Sequence, residues 1–501
     1  MTDLLLGVDA GTTNVKTIAM TREGEERYRC AQENAVDRPR AGWAEQNMDA
    51  TWERTRETIA GVVDSLDGDE EVVGVGVTGQ GGGLWLVGED GRPVRPAALW
   101  IDGRAGDLID EWRETGTYDA LFDALGYGVF SGQAVPLVCW FAEHDPDALD
   151  RADAVVESKD WIKYRLTGSL ASDPTDMSLA HWDPVAGAFA DADDLPDAAA
   201  EPALFDLEPA VQSPTEVVGH VTPEAADATG LPEGVPVVSG MLDTAATAVG
   251  SGVAGPGATS AVVGTTLQIQ RVLDVPRIEP PPVGYTLDLG VDGRGFRAMG
   301  AMTGTPNLDW IRETITDDAP FDEIEDTARE IPPGAEGVLY LPFLSESGEK
   351  APFVEPAARA GVVGLEPGHD RAHLLRAVYE GLALSLRDCA EHIPGTADRI
   401  HLSGGGSRSD LLCQLFADAL DAAVVVPAGE EFGALGVAAM AGVAVGVYPD
   451  LDSAAAEILT VERSYSPRPE ITGVYDDWCE VYTDTYEALR EPWQKRAALL
   501  D

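Results

Sequence analysis

Four residues near the start of the chain have the types and spacing of an anion-binding turn. Asp9 stands where an apolar run over residues 4–8 ends, and that run predicts a short buried strand. The small, hydroxylated residues that follow, Thr12 and Thr13 among them, let backbone N–H groups approach an anion closely. Lys16 precedes a second apolar run, so a hairpin is predicted. One interpretation is a phosphate clamp with a metal held by Asp9 through water; the other is an ordinary hairpin with a polar tip.

A second turn of the same kind follows the middle of the chain. Residues 259–263 predict a strand, and its tip is Gly264, Thr265 and Thr266. Two such hairpins facing each other across a cleft would hold a triphosphate from both sides, which one hairpin cannot do. The repeat therefore favours the phosphate-binding interpretation of the first turn.

A third strand-to-turn segment carries a carboxylate. The apolar residues 235–238 lead through small residues to Asp243, which repeats the order of the first turn. Asp243 could equally cap the helix predicted to begin at Thr244, a common role for aspartate. We place the domain boundary just before this segment, so the predicted domains are residues 1–234 and 235–501.

Two further segments could bind hydroxylated or flat ligands. Trp100, Asp102 and Arg104 end a short apolar strand. Carboxylate and guanidinium groups bond to hydroxyls, and an indole offers a flat apolar face to C–H groups; an exposed turn with a surface ion pair, or core packing of Trp100, are the alternatives. A later strand enters a glycine-rich turn with Gly404 and Gly405, and its backbone suits a surface on which an adenine ring can lie.

The charge of the chain excludes two classes of partner. There are 87 acidic and 34 basic residues, which give a net charge of −53. Such a surface repels nucleic acid and anionic membranes, so neither is expected to bind. The acidic residues are spread between apolar segments along the whole chain, which favours a folded, salt-adapted protein over a disordered acidic tail. At 1 M salt the Debye length falls to about 3 Å, which screens self-repulsion. We therefore predict a halophilic, haloarchaeal origin.

Length and composition predict at least two domains with sizeable cores, since the 501 residues are 44% hydrophobic. No apolar run approaches the roughly 18 residues of a membrane span, and the first residues lack the basic start of a signal peptide. A cytoplasmic enzyme is therefore expected. The five cysteines are scattered without a CxxC pair, which argues against a disulfide framework or a thiolate metal site.

Taken in order, these motifs resemble those of the FGGY carbohydrate kinases, which belong to the actin-like ATPase superfamily. The resemblance covers almost the whole chain, and so many ordered matches are not expected by chance. The matching segments are Asp9–Thr13 with Lys16, Glu45-Gln46 with Trp52, Gly79-Gln80, Trp100-x-Asp102-x-Arg104, Asp243 in G-x-x-D-x-x-A, Gly264–Thr266, residues 360–365 and 373–380 of the second family signature, and Gly404-Gly405 with Ser407 or Ser409.

The resemblance implies an α/β fold of two ribonuclease-H-like domains that flank a catalytic cleft, with the sugar held mainly by the first and ATP mainly by the second. It implies ATP-dependent phosphorylation of a sugar hydroxyl, with Mg²⁺ anchored at Asp9 and Asp243 as the general base. The implied substrate contacts are Gln80, Trp100, Asp102, Arg104 and Asp243. The implied nucleotide contacts are Thr12, Thr13, Lys16, Gly264, Thr265, Thr266, Gly404, Gly405 and Ser409.

Two departures from the family pattern concern the substrate. Xylulose and gluconate kinases usually carry Gln-Met-His-Gly, but here three glycines follow Gln80, and the next residues are more similar to the erythritol and L-xylulose branch. The first family signature has a Lys three residues before a Trp, where this chain has Leu137 before Trp140. A pentulose such as xylulose is expected from the family's common use, with erythritol or L-xylulose as alternatives. An actin-like regulator that binds ATP and sugar without catalysis is the alternative of another class, and homodimers are common in the family.

Overall fold

In the computed structural model, which describes residues 2–500, the chain forms two compact units. The first unit comprises Met1–Pro256, Leu273–Phe296 and Glu431–Leu459, and the second comprises Gly257–Val272, Arg297–Glu430 and Thr460–Asp501. The boundary predicted between residues 234 and 235 is a single cut and stays a prediction. The units themselves interleave along the chain.

Twenty-three strands occur within residues 2–500. They are β1 (Thr2–Ala10), β2 (Asn14–Met20), β3 (Glu26–Glu33), β4 (Glu45–Gln46), β5 (Glu70–Gly79), β6 (Gly83–Gly88), β7 (Ala97–Leu99), β8 (Ala152–Val156), β9 (Ala171–Ser172), β10 (Trp182–Asp183), β11 (Ala188–Phe189), β12 (Ala210–Val211), β13 (Val217–His220), β14 (Pro236–Val238), β15 (Thr259–Val263), β16 (Leu267–Leu273), β17 (Tyr285–Asp288), β18 (Gly295–Ala301), β19 (Leu339–Leu341), β20 (Gly361–Val363), β21 (Arg399–Ser403), β22 (Ala423–Pro427) and β23 (Val461–Tyr465).

Seventeen α-helices occur in the same described range. They are α1 (Met48–Val63), α2 (Gly106–Thr115), α3 (Thr117–Leu125), α4 (Ala134–His144), α5 (Pro146–Asp150), α6 (Ser158–Thr167), α7 (Pro174–Met177), α8 (Pro202–Asp206), α9 (Pro223–Thr229), α10 (Asp243–Gly250), α11 (Pro306–Ile315), α12 (Phe321–Arg329), α13 (Arg371–Glu391), α14 (Asp410–Leu420), α15 (Phe432–Ala444), α16 (Leu451–Ile458) and α17 (Pro469–Ala497). None of these helices is both long and apolar enough to cross a membrane.

The first unit is built on a six-stranded sheet in the order β13-β14-β5-β1-β2-β3. The hairpin β1–β2 is antiparallel, whereas β5 runs parallel to β1 and β14 runs parallel to β5. Because β1 and β5 are central, their residues are apolar on both faces, as expected for strands covered by helices on either side. The carboxyl ends of these parallel strands carry the polar residues of the predicted first turn.

Two helices cover this sheet. The amphipathic helix α1 packs on β2 and β3 through buried residues that recur at helical spacing, and α15 packs on β1, β5 and α10. The approach of α15 is so close that a Cβ atom at Gly7 would lie 1.9 Å from the carbonyl oxygen of Ala434. Glycine at position 7 is therefore required for the backbones to touch.

The second unit repeats this pattern. Its sheet contains β18, β16, β15, β21, β22 and β23 in that order, with the hairpin β15–β16 antiparallel and β21 and β22 parallel to β15. Both sheets thus place a hairpin beside parallel strands, and each hairpin tip is a Gly-Thr-Thr turn. The repeat inferred from the two short motifs extends to strand order.

Candidate active site

The predicted metal anchor and the predicted base lie close together in the first unit. Asp9 is near the end of β1 and faces Lys16 across the β1–β2 hairpin, while Asp243 is the first residue of α10. The pKa of Asp9 is raised to about 7, mainly by burial and also by the negative charges of Asp243 and Glu431, while the positive charge of Lys16 lowers it. The charges of these three carboxylates therefore influence one another. Asp9 and Asp243 are 234 positions apart, so the sequence alone does not show that they interact.

Asp243 is not the cap residue of its helix. The cap position belongs to Leu242, and Asp243 begins the helix itself. Its Oδ1 accepts a hydrogen bond from the Thr244 hydroxyl at 3.1 Å. Burial raises the pKa of Asp243 to about 6, although the hydrogen bonds from Thr244 lower it. A carboxylate with a raised pKa that keeps partial solvent access has the properties expected of a general base.

A pH dependence follows from this raised pKa. We expect kcat/KM to fall about tenfold per pH unit below about pH 6, because a general base must be ionised to accept a proton. Because its pKa is higher in the folded protein, the protonated Asp243 carboxyl stabilises the fold. This contribution to the free energy of unfolding is fully present below its ordinary pKa of 3.8 and is lost as pH rises through about 6. Initial rates between pH 4.5 and 8 at saturating ATP, at pH values where the protein stays folded, measure the first effect. A flat acid limb would contradict the assignment.

Glu431 is a site residue that sequence analysis missed. Its Oε2 lies 2.7 Å from the Lys16 ammonium, and its Oε1 accepts from Arg29 Nη1 at 3.1 Å. The Lys16 ammonium, predicted to contact phosphate, is thus already paired with a carboxylate that is largely buried. No local sequence motif marks Glu431.

The first turn and the predicted sugar contacts share one hydrogen-bond network. The Thr12 hydroxyl donates to Gln80 Oε1 at 2.8 Å and accepts from Trp100 Nε1 at 3.0 Å. Gln80 in turn donates to Gln46 Oε1 at 2.8 Å, which fixes the orientation of its amide. Because the Thr12 hydroxyl donates its proton to Gln80, the backbone N–H of Thr12 is the donor left for an anion. Thr13 is exposed at the same turn, and Trp100 is 40% exposed.

Asp102 and Arg104 are used internally in this conformation. Both Asp102 oxygens accept bonds from Arg104 at 2.8–2.9 Å, and the Ala44 N–H donates to Asp102 Oδ2 at 2.7 Å. Arg104 also donates to Glu45 at 2.7 Å and lies over the Trp43 ring at 4.0 Å. Neither side chain of the pair has solvent exposure. Their contact with a sugar stays a prediction, and the geometry indicates that they hold the backbone around Trp100.

Breaking this buried pair should destabilise the protein. We expect Asp102→Ala to cost about 3 kcal/mol in the free energy of unfolding, because it removes two carboxylate contacts from the buried Arg104 guanidinium and leaves Glu45 as its remaining carboxylate partner. Asp110→Ala is the matched control, since its ion pair with Arg113 is exposed and is expected to contribute about 0–1 kcal/mol. Denaturant unfolding of the two variants measures the difference. Equal midpoints would show that the pair is not structural.

In the second unit, the two predicted nucleotide turns are well formed. The carbonyl of Gly264 accepts from the Thr305 N–H at 2.7 Å and from its hydroxyl at 3.0 Å, while Thr265 and Thr266 are exposed at the tip. In the glycine-rich turn at residues 404–409, one of the polar side chains already has a structural role. Ser409 caps α14, and its Oγ accepts from the Leu412 N–H at 3.0 Å.

Gly404 and Gly405 leave the backbone of this glycine-rich turn exposed. Gly404 has a φ of +86° at the end of β21, and Gly405 begins a short 3-10 helix with no atom close to where its side chain would project. Ser407 is buried, and its hydroxyl donates to the Gly404 carbonyl at 2.8 Å. Of the two serines considered for the adenine contact, each has its hydroxyl bonded to backbone, so an adenine contact by Ser409 stays a prediction.

The family profiles and individual relatives agree with this geometry. The sequence matches the N-terminal domain of the FGGY family of carbohydrate kinases over residues 4–250 and its C-terminal domain over residues 259–445. An erythritol kinase of Brucella abortus (strain 2308) is 32% identical over 99% of this chain and 98% of its own length. An L-xylulose/3-keto-L-gulonate kinase of Escherichia coli (strain K12) is 28% identical over 98% of both chains. The solved structure of a xylulose kinase from Rhodospirillum rubrum superposes with a TM-score of 0.88 at 26% identity, covering 98% of this chain and all of its own.

Proposed function

The chain belongs to the FGGY family of carbohydrate kinases, and from that membership we propose that it transfers the γ-phosphate of Mg·ATP to a hydroxyl of a four- or five-carbon polyol or ketose. The fold class and the kinase activity expected from sequence are confirmed by the family match. The observation that carries the mechanism is the coupled pair of carboxylates, Asp9 and Asp243, at one edge of the first sheet. The cytoplasmic location and the homodimer stay predictions.

Asp243 accepts the proton of the attacking hydroxyl in this mechanism. As that oxygen forms its bond to the γ-phosphorus, the bond from the γ-phosphorus to the β–γ bridging oxygen breaks and ADP leaves. The proton passes to Asp243, whose pKa of about 6 leaves it ionised at neutral pH and still basic enough to accept a proton. Gln80 and Trp100, oriented by Thr12, hold the acceptor molecule.

The residues around Asp9 fit a magnesium ion. Asp9, Asp243 and Glu431 place negative charge together, and the opposing charges at this group are those of Lys16 and Arg29. Mg²⁺ prefers hard oxygen ligands and retains several waters, so a carboxylate with partial solvent access, such as Asp9, suits it. When bound, Mg²⁺ neutralises and orients phosphate oxygens. Lys16 and the backbone of the Thr12–Thr13 turn supply further positive and donor groups.

The nucleotide is assigned chiefly to groups of the second unit. The exposed Thr265 and Thr266 at the β15–β16 tip offer hydroxyls and N–H groups to phosphate oxygens. The exposed backbone at Gly404 and Gly405 offers a surface to the adenine ring. These assignments rest on the family motif and on the accessibility of each turn, and together with Gly264 they complete the proposed ATP contacts.

The glycines after Gln80 favour a polyol of the erythritol class as the acceptor. A Cβ atom at Gly81 would lie 1.8 Å from Leu242 Cδ1, and Gly82 has a φ of +78°, which L side chains rarely adopt. A Met-His pair, as in xylulose kinases, would therefore require the Leu242 side chain to move and would be strained on this backbone. The acceptor must be recognised without that histidine, which agrees with an erythritol kinase among the relatives. The pentulose expected from the family's common use is the second candidate, because the superposed structure is that of a xylulose kinase.

A substrate panel tests this proposal. ADP release is measured with Mg·ATP in concentrated KCl against erythritol, glycerol, ribitol, D-xylulose, L-xylulose and D-fructose. Erythritol should give the highest kcat/KM, and a ketopentose in first place would establish the second candidate. If no compound raised ADP release above the background rate, the kinase assignment itself would fail and an ATP-binding regulator would replace it.

A further inference from the structure

A single peptide group next to Asp243 is held by two buried threonines. The Thr78 hydroxyl donates to the carbonyl of Met241 at 2.7 Å. The Thr175 hydroxyl accepts from the N–H of Leu242 at 2.8 Å. These are the two polar ends of the same Met241–Leu242 peptide bond, and both threonines have no solvent exposure. The peptide therefore has one hydroxyl on each side, one from the end of β5 and one from α7.

The hydroxyl of Thr175 is itself fixed from behind. It donates to Asp173 Oδ1 at 2.5 Å, and the same oxygen accepts from the Thr175 N–H at 2.9 Å. The other oxygen of Asp173 lies 2.6 Å from the ammonium of Lys159, and all three side chains are fully buried. Because its proton is committed to a carboxylate, the Thr175 oxygen is oriented to receive the N–H of Leu242. The direction of both hydrogen bonds at this threonine is thus determined.

The position of Asp243 depends on this peptide. A peptide group is planar, so holding its C=O and its N–H fixes the plane in space. Only the φ and ψ of Leu242, −46° and 142°, separate that plane from the N–H of Asp243. On the other side, the N–H of Ala246 donates to the Leu242 carbonyl at 2.9 Å as the first bond of α10. The residue before the base is therefore fixed at both of its peptide groups.

We propose that Thr78 and Thr175 are positioning residues that set the direction of the Asp243 carboxylate for proton abstraction. The inference rests on the proposed function of Asp243 and adds two residues to it. Strand β14 ends at Val238, so the Met241–Leu242 peptide lies beyond the sheet. The two threonine hydroxyls take the place of the strand-to-strand hydrogen bonds that would otherwise hold it. A displacement of about 1 Å at a reacting group can cost on the order of 100-fold in rate, which is the effect that the threonines prevent.

The experiment compares valine and serine at each position. Valine keeps the volume of threonine and removes the hydroxyl, whereas serine keeps the hydroxyl. Thr229→Val is the matched control, because Thr229 is equally buried and its hydroxyl donates to the Ala225 carbonyl within α9 rather than to the Met241–Leu242 peptide. For each variant, kcat and KM for the acceptor and for ATP are measured with the thermal unfolding midpoint.

We expect kcat to fall on the order of 10-fold or more in Thr78→Val and Thr175→Val, and by less than the product of the two losses in the double variant, because both hydroxyls hold one peptide; both KM values should stay within about twofold of the parent. The serine variants should recover most of the loss, and Thr229→Val should lower only the unfolding midpoint. A kcat equal to that of the control, or a rise in KM alone, would overturn the inference, since the threonines would then serve stability or pocket shape. If Thr175→Val does not fold, Thr78→Val decides alone, because it leaves the Asp173–Lys159 pair intact.

Asp243→Asn, measured in parallel, separates the two levels of the argument. An active Asp243→Asn protein would remove Asp243 as the base and with it the proposed mechanism, whatever the threonine variants do. An inactive Asp243→Asn with normal threonine variants would remove the positioning inference alone. If the proposed mechanism and the positioning inference are both correct, adding Thr175→Val to Asp243→Asn should cause no further loss of kcat, because the effects of residues that act through one group are not additive.

Discussion

Asp243→Asn is expected to lower kcat by about 10²–10⁴-fold, the usual contribution of a general base. Asparagine is nearly the same size and can still accept the hydrogen bond that Thr244 donates to Asp243. It removes a carboxylate whose burial is unfavourable and which, with its charge, raises the pKa of Asp9. The variant should therefore fold at least as stably as the parent at neutral pH and should bind ATP with unchanged affinity.

The matched control for this substitution is Asp288→Asn. Asp288 is also a largely buried carboxylate of the first unit, and it bonds to Trp182 and to the Gly290 N–H. Its replacement should affect the unfolding midpoint more than kcat. Single-turnover rates and ATP titration by calorimetry distinguish the two variants. Turnover of Asp243→Asn within about tenfold of the parent would remove the residue as the base.

The second large effect expected is a dependence on salt. At a net charge of −53, self-repulsion should unfold or inactivate the protein in dilute buffer, and about 1 M KCl should restore it by reducing the Debye length to about 3 Å. Most carboxylates lie outside the buried set, so their repulsion is open to screening. The buried pairs, such as Lys159 with Asp173, should be little affected by salt.

Circular dichroism melting and kcat at about 0.1 M and about 1 M KCl measure this dependence. An equal concentration of sucrose is the control, because it is excluded from the surface and favours burial without screening charge. Stabilisation by sucrose equal to that by KCl would indicate a general solvent effect. A stable, fully active protein in dilute buffer would contradict the halophilic origin.

The position of the two Gly-Thr-Thr turns was predictable from sequence because each follows a strand whose apolar run is unambiguous. β15 covers the predicted residues 259–263, and β1 contains the predicted run 4–8 and continues to Ala10, so both hairpins form where their apolar runs indicated. Asp243 was predicted as a site residue because a strand, small residues and a carboxylate stand in one local segment. Periodicity and turn chemistry act over a few residues, and the active-site motifs of this chain are mostly of that length.

The supporting groups could not be found in this way. Glu431 reaches Lys16 from the other end of the chain, and Thr175 acts on a peptide 67 positions away. Their partners are set by packing of distant segments, which leaves no spacing in the sequence to detect. For Asp102 and Arg104 the local pattern was present, but it could not distinguish a pair that contacts sugar from one that is satisfied internally, since burial depends on the surrounding Trp43 and Glu45.

The packing of α15 on β1 and β5 has a consequence for how the protein is made. The chain leaves the ribosome in order, yet the central strands of the first unit are covered by residues 431–459, which are synthesised after most of the second unit. Until then the apolar face that α15 covers, including the backbone beside Gly7, stands open to solvent. A nascent chain that ends near residue 256 contains all the residues of the predicted acceptor site but still lacks α15, which covers β1 and β5. Chaperones that shield exposed strands should therefore hold this chain until translation is almost complete.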